Sequence, residues 1–149
     1  MYLNFGAMQP LEIYRTLTQT VIPRPVAWVL SENADGGPNL ALFSFFNAIC
    51  SDPPLIMISV GRRPDGSLKD TRAKIEARDD FVVHIGGWKQ LDSLNESSET
   101  LPPGESEVHR LGLETVCFER FRLPRLDQCQ VAFACSCYQI QEIGDSENA

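Results

Sequence analysis

Residues 22–60 read IPRPVAWVLSENADGGPNLALFSFFNAICSDPPLIMISV, and they decide the fold. This stretch contains three apolar runs that are separated by residues typical of turns. The first run, residues 26–30, is apolar throughout, which is typical of a strand covered on both faces. The SENADGGPN segment after it predicts a turn through its Asp, Gly and Pro content. Three strands in succession, the first two joined as a hairpin, predict a β core.

The sequence on either side of this stretch alternates between helical and extended patterns. Residues 10–20 and 88–98 predict short helices, and Ser67 followed by Asp70 resembles a capping box at the start of a third. Further strands are expected at FVVHIGG, LETVCFERFRL and QVAFACSCYQIQEIG, with a PRLDQ turn between the last two and the loop TLPPGESEVHRLG before them.

These elements amount to about six strands and two or three helices in a single domain over residues 1–149. We therefore predict a mainly β fold, a small antiparallel barrel with helices on its surface. Closure is expected because it removes the exposed edges of a sheet.

The composition limits the classes of partner. The chain has 149 residues, a formal net charge of -7 and a pI of about 4.8. Nucleic acid and anionic membrane surfaces require a basic stripe that this composition cannot supply. No apolar run is long enough to cross a bilayer, and the N-terminal sequence MYLNFGAMQPLEIYR lacks the basic and hydrophobic regions of a signal peptide. A cytoplasmic protein without nucleic-acid or membrane partners is expected.

The cysteines and histidines form no recognisable metal motif. The five cysteines lack paired C-x-x-C spacing, so we expect reduced thiols. Cys135 and Cys137 would share one face of a strand, where two buried apolar side chains are favoured over a redox pair. His84 falls in an apolar strand and His109 in a polar loop, which favours one core and one surface histidine over a catalytic pair. G-x-G-x-x-G and Walker motifs are missing, which excludes a Rossmann dinucleotide site.

A phosphate site is one interpretation of the segment from Ser59 to Thr71. A phosphate ester needs hydroxyl and N–H donors and a cation, and the N-terminus of a helix presents such N–H groups. Arg62 and Arg63 precede the predicted helix, Gly61 and Gly66 allow the backbone to approach a ligand, and Ser67, Lys69, Asp70 and Thr71 lie at the helix start. An ordinary capped helix with solvated charges is the alternative.

The segment NLALFSFFN could supply the other half of a cofactor site. A planar ring requires an apolar floor and a polar rim. Alternation along one strand would place Ala41, Phe43 and Phe45 on one face and Leu40, Leu42, Ser44 and Phe46 on the other, with Asn39, Ser44 and Asn47 as the rim. A core strand that ends in a turn explains the same pattern.

These motifs together resemble the flavin-reductase-like, FMN-binding split-barrel family, which includes flavoredoxins and the small reductase components of flavin-dependent monooxygenases. The resemblance lies in RPVAW, in NLALFSFFN and in the pattern from Ser59 to Lys-Asp-Thr. It continues through FVVHI, LNESS, LPPGESEVHRLGL and LPRLDQCQVAFACS, and so covers nearly the whole chain.

The resemblance implies a homodimeric, six-stranded antiparallel split barrel with FMN near the dimer interface. It also assigns cofactor-binding residues but no catalytic or metal-binding ones. They are Arg24, Pro25 and Trp28 on the strand beside the flavin; Asn39, Ala41, Ser44, Phe45, Phe46 and Asn47 along its ring and ribityl chain; and Ser59, Lys69, Asp70 and Thr71 around its phosphate.

The implied function is that of an FMN-binding oxidoreductase that transfers electrons from NAD(P)H to flavin. A monooxygenase or another electron-acceptor protein is the implied partner. Two alternatives stay open, namely a flavoredoxin-like electron carrier without nicotinamide activity and a non-catalytic split-barrel binding module.

The sequence departs from the family pattern at three places. Leu42 stands where the family usually has proline, and His84 stands where asparagine is frequent. Similar proteins also continue through further C-terminal strands that this sequence does not contain. A barrel edge and part of the dimer surface are then expected to be exposed.

Overall fold

The computed structural model describes residues 2–99, 101 and 105–144. Its helices are α1 (Pro10–Thr20), α2 (Asp70–Arg78), α3 (Leu91–Glu96) and α4 (Glu107–Arg110), with 3₁₀ turns at Phe5–Ala7 and Trp88–Gln90. Its strands are β1 (Ala27–Glu32), β2 (Pro38–Phe43), β3 (Phe46–Ser51), β4 (Pro54–Ile58), β5 (Asp80–Ile85), β6 (Thr115–Val116), β7 (Arg125–Leu126) and β8 (Val131–Ser136). Every strand pair is antiparallel, so the predicted mainly β class is confirmed.

The strands form one four-stranded sheet, in the order β2-β1-β5-β8, and two hairpins, β3-β4 and β6-β7. The predicted first hairpin is confirmed, with Ala27 opposite Phe43 and Glu32 opposite Pro38. Within the described residues β2 and β8 are the outer strands of the large sheet. The hydrogen-bonded closure that we predicted is therefore not formed by this part of the chain.

The single strand predicted for residues 39–51 is divided in two. β2 ends at Phe43, Ser44 and Phe45 form a bend, and β3 begins at Phe46. Leu42 packs against the core on one side of the sheet, whereas both Phe43 and Phe46 pack on the other. The predicted alternation is therefore wrong beyond Phe43, because the bend rotates the chain so that a second apolar side chain enters the same core.

The capping box predicted at Ser67 is also wrong. Helix α2 begins at Asp70 with Lys69 as its N-cap residue. Both the backbone N–H and the hydroxyl of Ser67 donate to Asp65 Oδ1, at 2.9 and 2.6 Å. Ser67 therefore stabilises the turn before the helix, and a β-bridge between Arg62 and Leu68 keeps the intervening chain extended.

The tail differs from its two predicted strands. Strand β7 lies inside the predicted PRLDQ turn and pairs with the short β6, and β8 ends at Ser136. The predicted loop before the tail contains α4. Its Glu107 accepts a hydrogen bond from Leu40 N at 3.0 Å, and Ser106 Oγ donates to Pro38 O. These long-range contacts are not visible in local sequence patterns. The division into β2 and β3 and the added β7 raise the number of strands in the described residues from about six to eight.

The core lies on both faces of β1, as its unbroken apolar sequence predicts. Ala27, Trp28, Val29 and Leu30 are all fully buried. One core cluster contains Trp28, Leu30, Leu40, Val82, Val108, Leu123, Leu126 and Cys129, and the other contains Ala27, Val29, Phe46, Phe81 and Val83. The alternation of β1 between these clusters fixes its register, because a shift by one residue would exchange the two faces.

His84 is buried in the centre of the sheet, which confirms its prediction as a core residue, and His109 is exposed on α4. Leu126 N–H donates to His84 Nε2 at 2.9 Å, so the proton of the neutral ring is on Nδ1, which donates to Trp28 O at 3.0 Å. Burial lowers the pKa of His84 to about 4. The imidazole therefore joins β1, β5 and β7 in its neutral form.

All five cysteines are free thiols. Among the described residues, no group of three or more His, Cys, Asp or Glu side chains could hold a metal ion. In the same part of the chain, no helix has both the length and the apolar character needed to cross a membrane.

Candidate functional site

A cleft of about 160 Å³ lies where α1, the β2–β3 bend and the segment before α2 meet. Each of these three parts of the chain contributes side chains to its wall. The lining residues are Tyr14, Leu42, Phe43, Ser44, Phe45, Ser59, Gly61 and Lys69. The wall therefore combines aromatic rings, hydroxyl groups and one ammonium group.

The bend at Ser44 and Phe45 forms the centre of the cleft. Ser59 N–H donates to Phe45 O at 2.8 Å, which fixes the bend against the end of β4. Because both bend residues lie outside the strand ladders, their side chains are available to line the cleft. Ser59 is another predicted site residue that lines the cleft. Its backbone hydrogen bond to Phe45 holds it beside the bend.

An aromatic pair closes the side of the cleft that faces α1. The ring centroids of Tyr14 and Phe45 are 6.2 Å apart and the rings are tilted by 56°. The guanidinium carbon of Arg24 lies 5.6 Å from the centroid of Phe45, within the range of a cation–π contact. Arg24 Nη1 also donates to the carbonyl of Thr18, at 2.7 Å, and to that of Val21.

Helix α1 is attached to the rest of the protein mainly through these groups. It has no buried residue along its length. Arg24 follows α1, and its guanidinium lies at the last turn, where the helix leaves carbonyl groups without intrahelical partners. Its Nε is buried and has no hydrogen-bond partner among the residues that the structure describes. Arg24 therefore holds Phe45 and the end of α1 together without lining the cleft itself.

The polar end of the cleft lies at the N-terminus of α2. Lys69, the N-cap residue, lines the cleft and takes no part in the ion pairs formed among the described residues. The next residue, Asp70, is paired with Arg63 at 2.6 Å. An anion at this end would therefore be favoured both by an ammonium group and by the helix dipole.

The structure brings four of the thirteen predicted site residues together in the cleft: Ser44, Phe45, Ser59 and Lys69. Arg24 is in contact with them through Phe45. The other eight do not line it; they are Pro25, Trp28, Asn39, Ala41, Phe46, Asn47, Asp70 and Thr71.

Trp28 and Phe46 belong instead to the two core clusters. Trp28 is fully buried, and its Nε1 donates to Ser97 Oγ at 2.9 Å. Thr71 is also buried, and the Asn47 side chain accepts a hydrogen bond from Ala48 N–H. Trp28, Phe46 and Thr71 are therefore buried in the fold and do not line the cleft, whereas Asn47 is exposed.

Asn39 lies in a separate polar cluster at the start of β2. Its Oδ1 accepts a hydrogen bond from Lys74 Nζ at 2.6 Å, and its Nδ2 donates to Ser31 Oγ at 3.3 Å. Burial lowers the pKa of Lys74, and the nearby carboxylates of Asp70 and Glu107 oppose that shift. Asn39 is thus occupied by protein partners on both sides of its amide.

Sequence reasoning missed Tyr14, Leu42 and Phe43 as cleft residues. Leu42 and Phe43 adjoin Ser44, which the sequence predicts as a polar rim residue, so their position in the motif was a usable signal. The sequence predicts that the backbone at Gly61 can approach a ligand closely, and this residue is buried in the cleft wall. Tyr14 had no local signal, because only the tertiary position of α1 brings it to Phe45.

The chain matches the family model described as flavin reductase like domain over residues 19–148. It is 40% identical over 144 residues to an uncharacterised protein of Halalkalibacterium halodurans, covering 97% of this chain and 69% of that protein. The chain spans 56–69% of the length of five curated relatives that it matches.

Two solved structures are also similar. Nitrilotriacetate monooxygenase component B from Bacillus cereus has 32% identity and a TM-score of 0.89, with 98% of this chain and 73% of that chain covered. The 2-nitrobenzoate 2-nitroreductase NbaA of Pseudomonas fluorescens has 27% identity and a TM-score of 0.88, with 98% and 70% covered. The family model matches nearly the whole chain, and the chain therefore belongs to the flavin reductase like domain family.

Proposed function

We propose that the chain binds FMN in this cleft and acts as an NAD(P)H-dependent flavin oxidoreductase. The observation that carries the proposal is the convergence of Ser44, Phe45, Ser59 and Lys69 from three separate parts of the sequence. Family membership supports a flavin as the ligand class. The choice of FMN over other flavins rests on Lys69 and the N-terminus of α2, which suit a phosphate group at that end.

The chemistry of the wall fits a flavin. Phe45 and Tyr14 offer aromatic surface to a planar ring, and the Ser44 and Ser59 hydroxyls can donate to ring or ribityl oxygens. Lys69 and the N-terminus of α2 suit the phosphate. The cleft volume, about 160 Å³, is below the roughly 300–1,000 Å³ of sites that enclose a whole small molecule. This chain would therefore enclose only part of the cofactor.

When bound, FMN would supply the redox chemistry of the reaction. The residues of this chain would orient and hold it. The Ser59–Phe45 backbone hydrogen bond fixes the donors at the bend before a ligand arrives, and such pre-organisation lowers the cost of binding. Arg24 would help to keep Phe45 in place through its cation–π contact.

We further propose that the protein forms a homodimer and passes electrons to an acceptor protein, such as a monooxygenase. Exposed apolar side chains on β3 and β8 support a surface that a second copy covers, since Ile49 is 60% exposed and Val131 and Phe133 are each 44% exposed. Light scattering coupled to size exclusion tests the dimer: a mass of twice the 16.6 kDa chain is expected.

The function is tested by titrating the protein with FMN and then following NADH and NADPH oxidation. Visible absorbance changes with rapid nicotinamide oxidation would support the oxidoreductase. Flavin binding without oxidation would favour an electron carrier. A protein that neither binds FMN nor oxidises nicotinamide would overturn the proposal in favour of a non-catalytic module.

Lys69→Ala is expected to weaken FMN binding by about tenfold, because a hydrogen bond to a charged group contributes about 1.5–3 kcal/mol and this one is partly exposed. Riboflavin, which lacks the phosphate, should bind both proteins equally. The measurement is quenching of flavin fluorescence. Lys89→Ala, a lysine exposed next to α3, is the matched control. Equal FMN affinity of the Lys69 variant and the unmodified protein would contradict the phosphate assignment.

A further inference from the structure

Two arginines hold one carboxylate beside the cleft. Arg62 Nη2 lies 2.9 Å from Glu142 Oε2, and Arg72 Nη2 lies 2.6 Å from Glu142 Oε1. Each guanidinium therefore binds a different oxygen of the same group. This arrangement is also the one in which two arginines bind a phosphate, whose oxygens are spread in the same way.

The arginine pair adjoins the polar end of the cleft. Arg62 directly follows Gly61 of the cleft wall, and its β-bridge partner Leu68 directly precedes Lys69. Arg72 follows Lys69 by three residues, which is one turn along α2. Both arginines are thus close along the chain to residues of the cleft wall, Gly61 and Lys69.

The two arginines are held in place without Glu142. Arg62 Nη1 donates to Gly66 O at 3.1 Å, and Arg72 donates from Nε and Nη2 to Glu76 Oε1 at 3.0 and 2.8 Å. The side chain of Arg72 is only 15% exposed. The site is therefore largely pre-formed, and Glu76 compensates only one of its two positive charges.

Glu142 is the exchangeable member of this cluster. Its side chain is 55% exposed, and it lies in a segment after β8 that has no helix or strand. The pKa of its carboxyl group is lowered by hydrogen bonds from Arg72 and Arg62, so it is ionised at neutral pH. Exposed ion pairs are weak, which allows a better anion to replace it.

We propose that Arg62 and Arg72 form a phosphate-binding subsite and that Glu142 competes with the phosphate of a nucleotide for it. The proposal rests on the proposed function, because the nucleotide is taken to be the flavin or the nicotinamide of that reaction. Glu142 then acts as an internal competitor that lowers nucleotide affinity and leaves the site when the phosphate binds.

The first test compares Glu142→Gln with the unmodified protein. The nucleotide whose phosphate occupies the subsite, FMN or NADPH, should bind about two- to fivefold more tightly to the variant, while riboflavin affinity stays unchanged. This factor corresponds to the loss of an exposed ion pair. Glu99→Gln is the matched control. It removes the same charge from another exposed ion pair, with Arg110 at 2.7 Å, and should change neither affinity.

The dissociation constants of FMN, NADPH and NADH, measured for Glu142→Gln and the unmodified protein, identify which ligand supplies the phosphate. A gain for NADPH alone would support a subsite for the 2′-phosphate of the nicotinamide, whereas a gain for FMN alone would support the flavin phosphate. Unchanged affinity of Glu142→Gln for every phosphate ligand, or an equal gain for riboflavin, would overturn the proposal.

The variant Arg72→Ala should weaken nucleotide binding, because it removes one of the two arginines of the subsite. Affinity for the responding nucleotide should fall by about tenfold or more, since a charge-assisted hydrogen bond is lost. If the unmodified protein binds neither flavin nor nicotinamide, the proposed function fails, and titration with inorganic pyrophosphate still tests the subsite. Weaker pyrophosphate binding to Arg72→Ala would support it, and equal or absent binding in both proteins would overturn it.

Discussion

Replacing Trp28 by alanine is expected to lower the free energy of unfolding by about 3–5 kcal/mol, the usual cost of removing a large aromatic side chain from a core. Trp28 is fully buried and packs in the cluster with Leu30, Leu40 and Val82. The variant also removes the indole donor of Ser97 Oγ. Urea denaturation followed by far-UV circular dichroism measures the change.

The other tryptophan of the chain provides the control. Trp88 is 86% exposed, so Trp88→Ala should change the stability by no more than about 0.5 kcal/mol. A loss below about 1 kcal/mol for Trp28→Ala would contradict the core position, because such small losses are typical of exposed sites.

The milder variant Trp28→Phe separates packing from flavin contact. It retains most of the apolar volume and loses the hydrogen bond to Ser97, at a cost of about 1 kcal/mol. FMN affinity should remain unchanged, since Trp28 does not line the cleft. A weakened FMN complex in a stably folded Trp28→Phe protein would instead favour the role that the family resemblance implies for this residue.

The stability of the protein is expected to fall by about 3 kcal/mol through His84 as the pH decreases from 6.5 to 4. The pKa of His84 is about 4 in the folded protein and 6.5 in its ordinary state. Between these values the unfolded chain binds more protons than the folded chain. The free energy of unfolding therefore rises with pH between about pH 4 and 6.5. The stabilising contribution of His84 reaches its full size above this range.

Urea denaturation at a series of pH values measures this slope. Carboxylates also titrate at the lower end, so the comparison is restricted to pH 5.5–7, where His84 should contribute about 1 kcal/mol per pH unit when it dominates. The slope should be lost in His84→Asn and kept in His109→Gln, whose histidine is exposed. An unchanged slope in His84→Asn would show that another group causes it.

The site was predictable to the extent that its residues are close in sequence to a turn or a helix end. Ser44 and Phe45 stand in the quoted motif, and Lys69 precedes the helix that was expected nearby. The sequence could not distinguish Phe45, which lines the cleft, from Phe46, which enters the core. Their side chains are separated by a bend that depends on a backbone hydrogen bond from Ser59.

Long-range contacts also explain the other differences. Asn39 is a turn residue by its local sequence, yet Lys74 of α2 and Ser31 of β1 occupy its amide. The local sequence predicts a turn at β7, because Pro, Asp and Gln surround it. In the structure Leu126 is buried and its N–H donates to His84 Nε2. Such partners are distant along the chain, so no window of sequence contains both members.

The sequence by itself determined the β class, the first hairpin, the double burial of β1 and the position of His84 in the core. These properties follow from the period and apolarity of single segments, which act locally. Only the tertiary structure decided which residues of the motif face the cleft, brought Tyr14 of α1 against Phe45, and placed Glu142 between Arg62 and Arg72. Each of these arrangements is a contact between distant segments, and its geometry is fixed by how the packed elements meet rather than by the preference of any one of them.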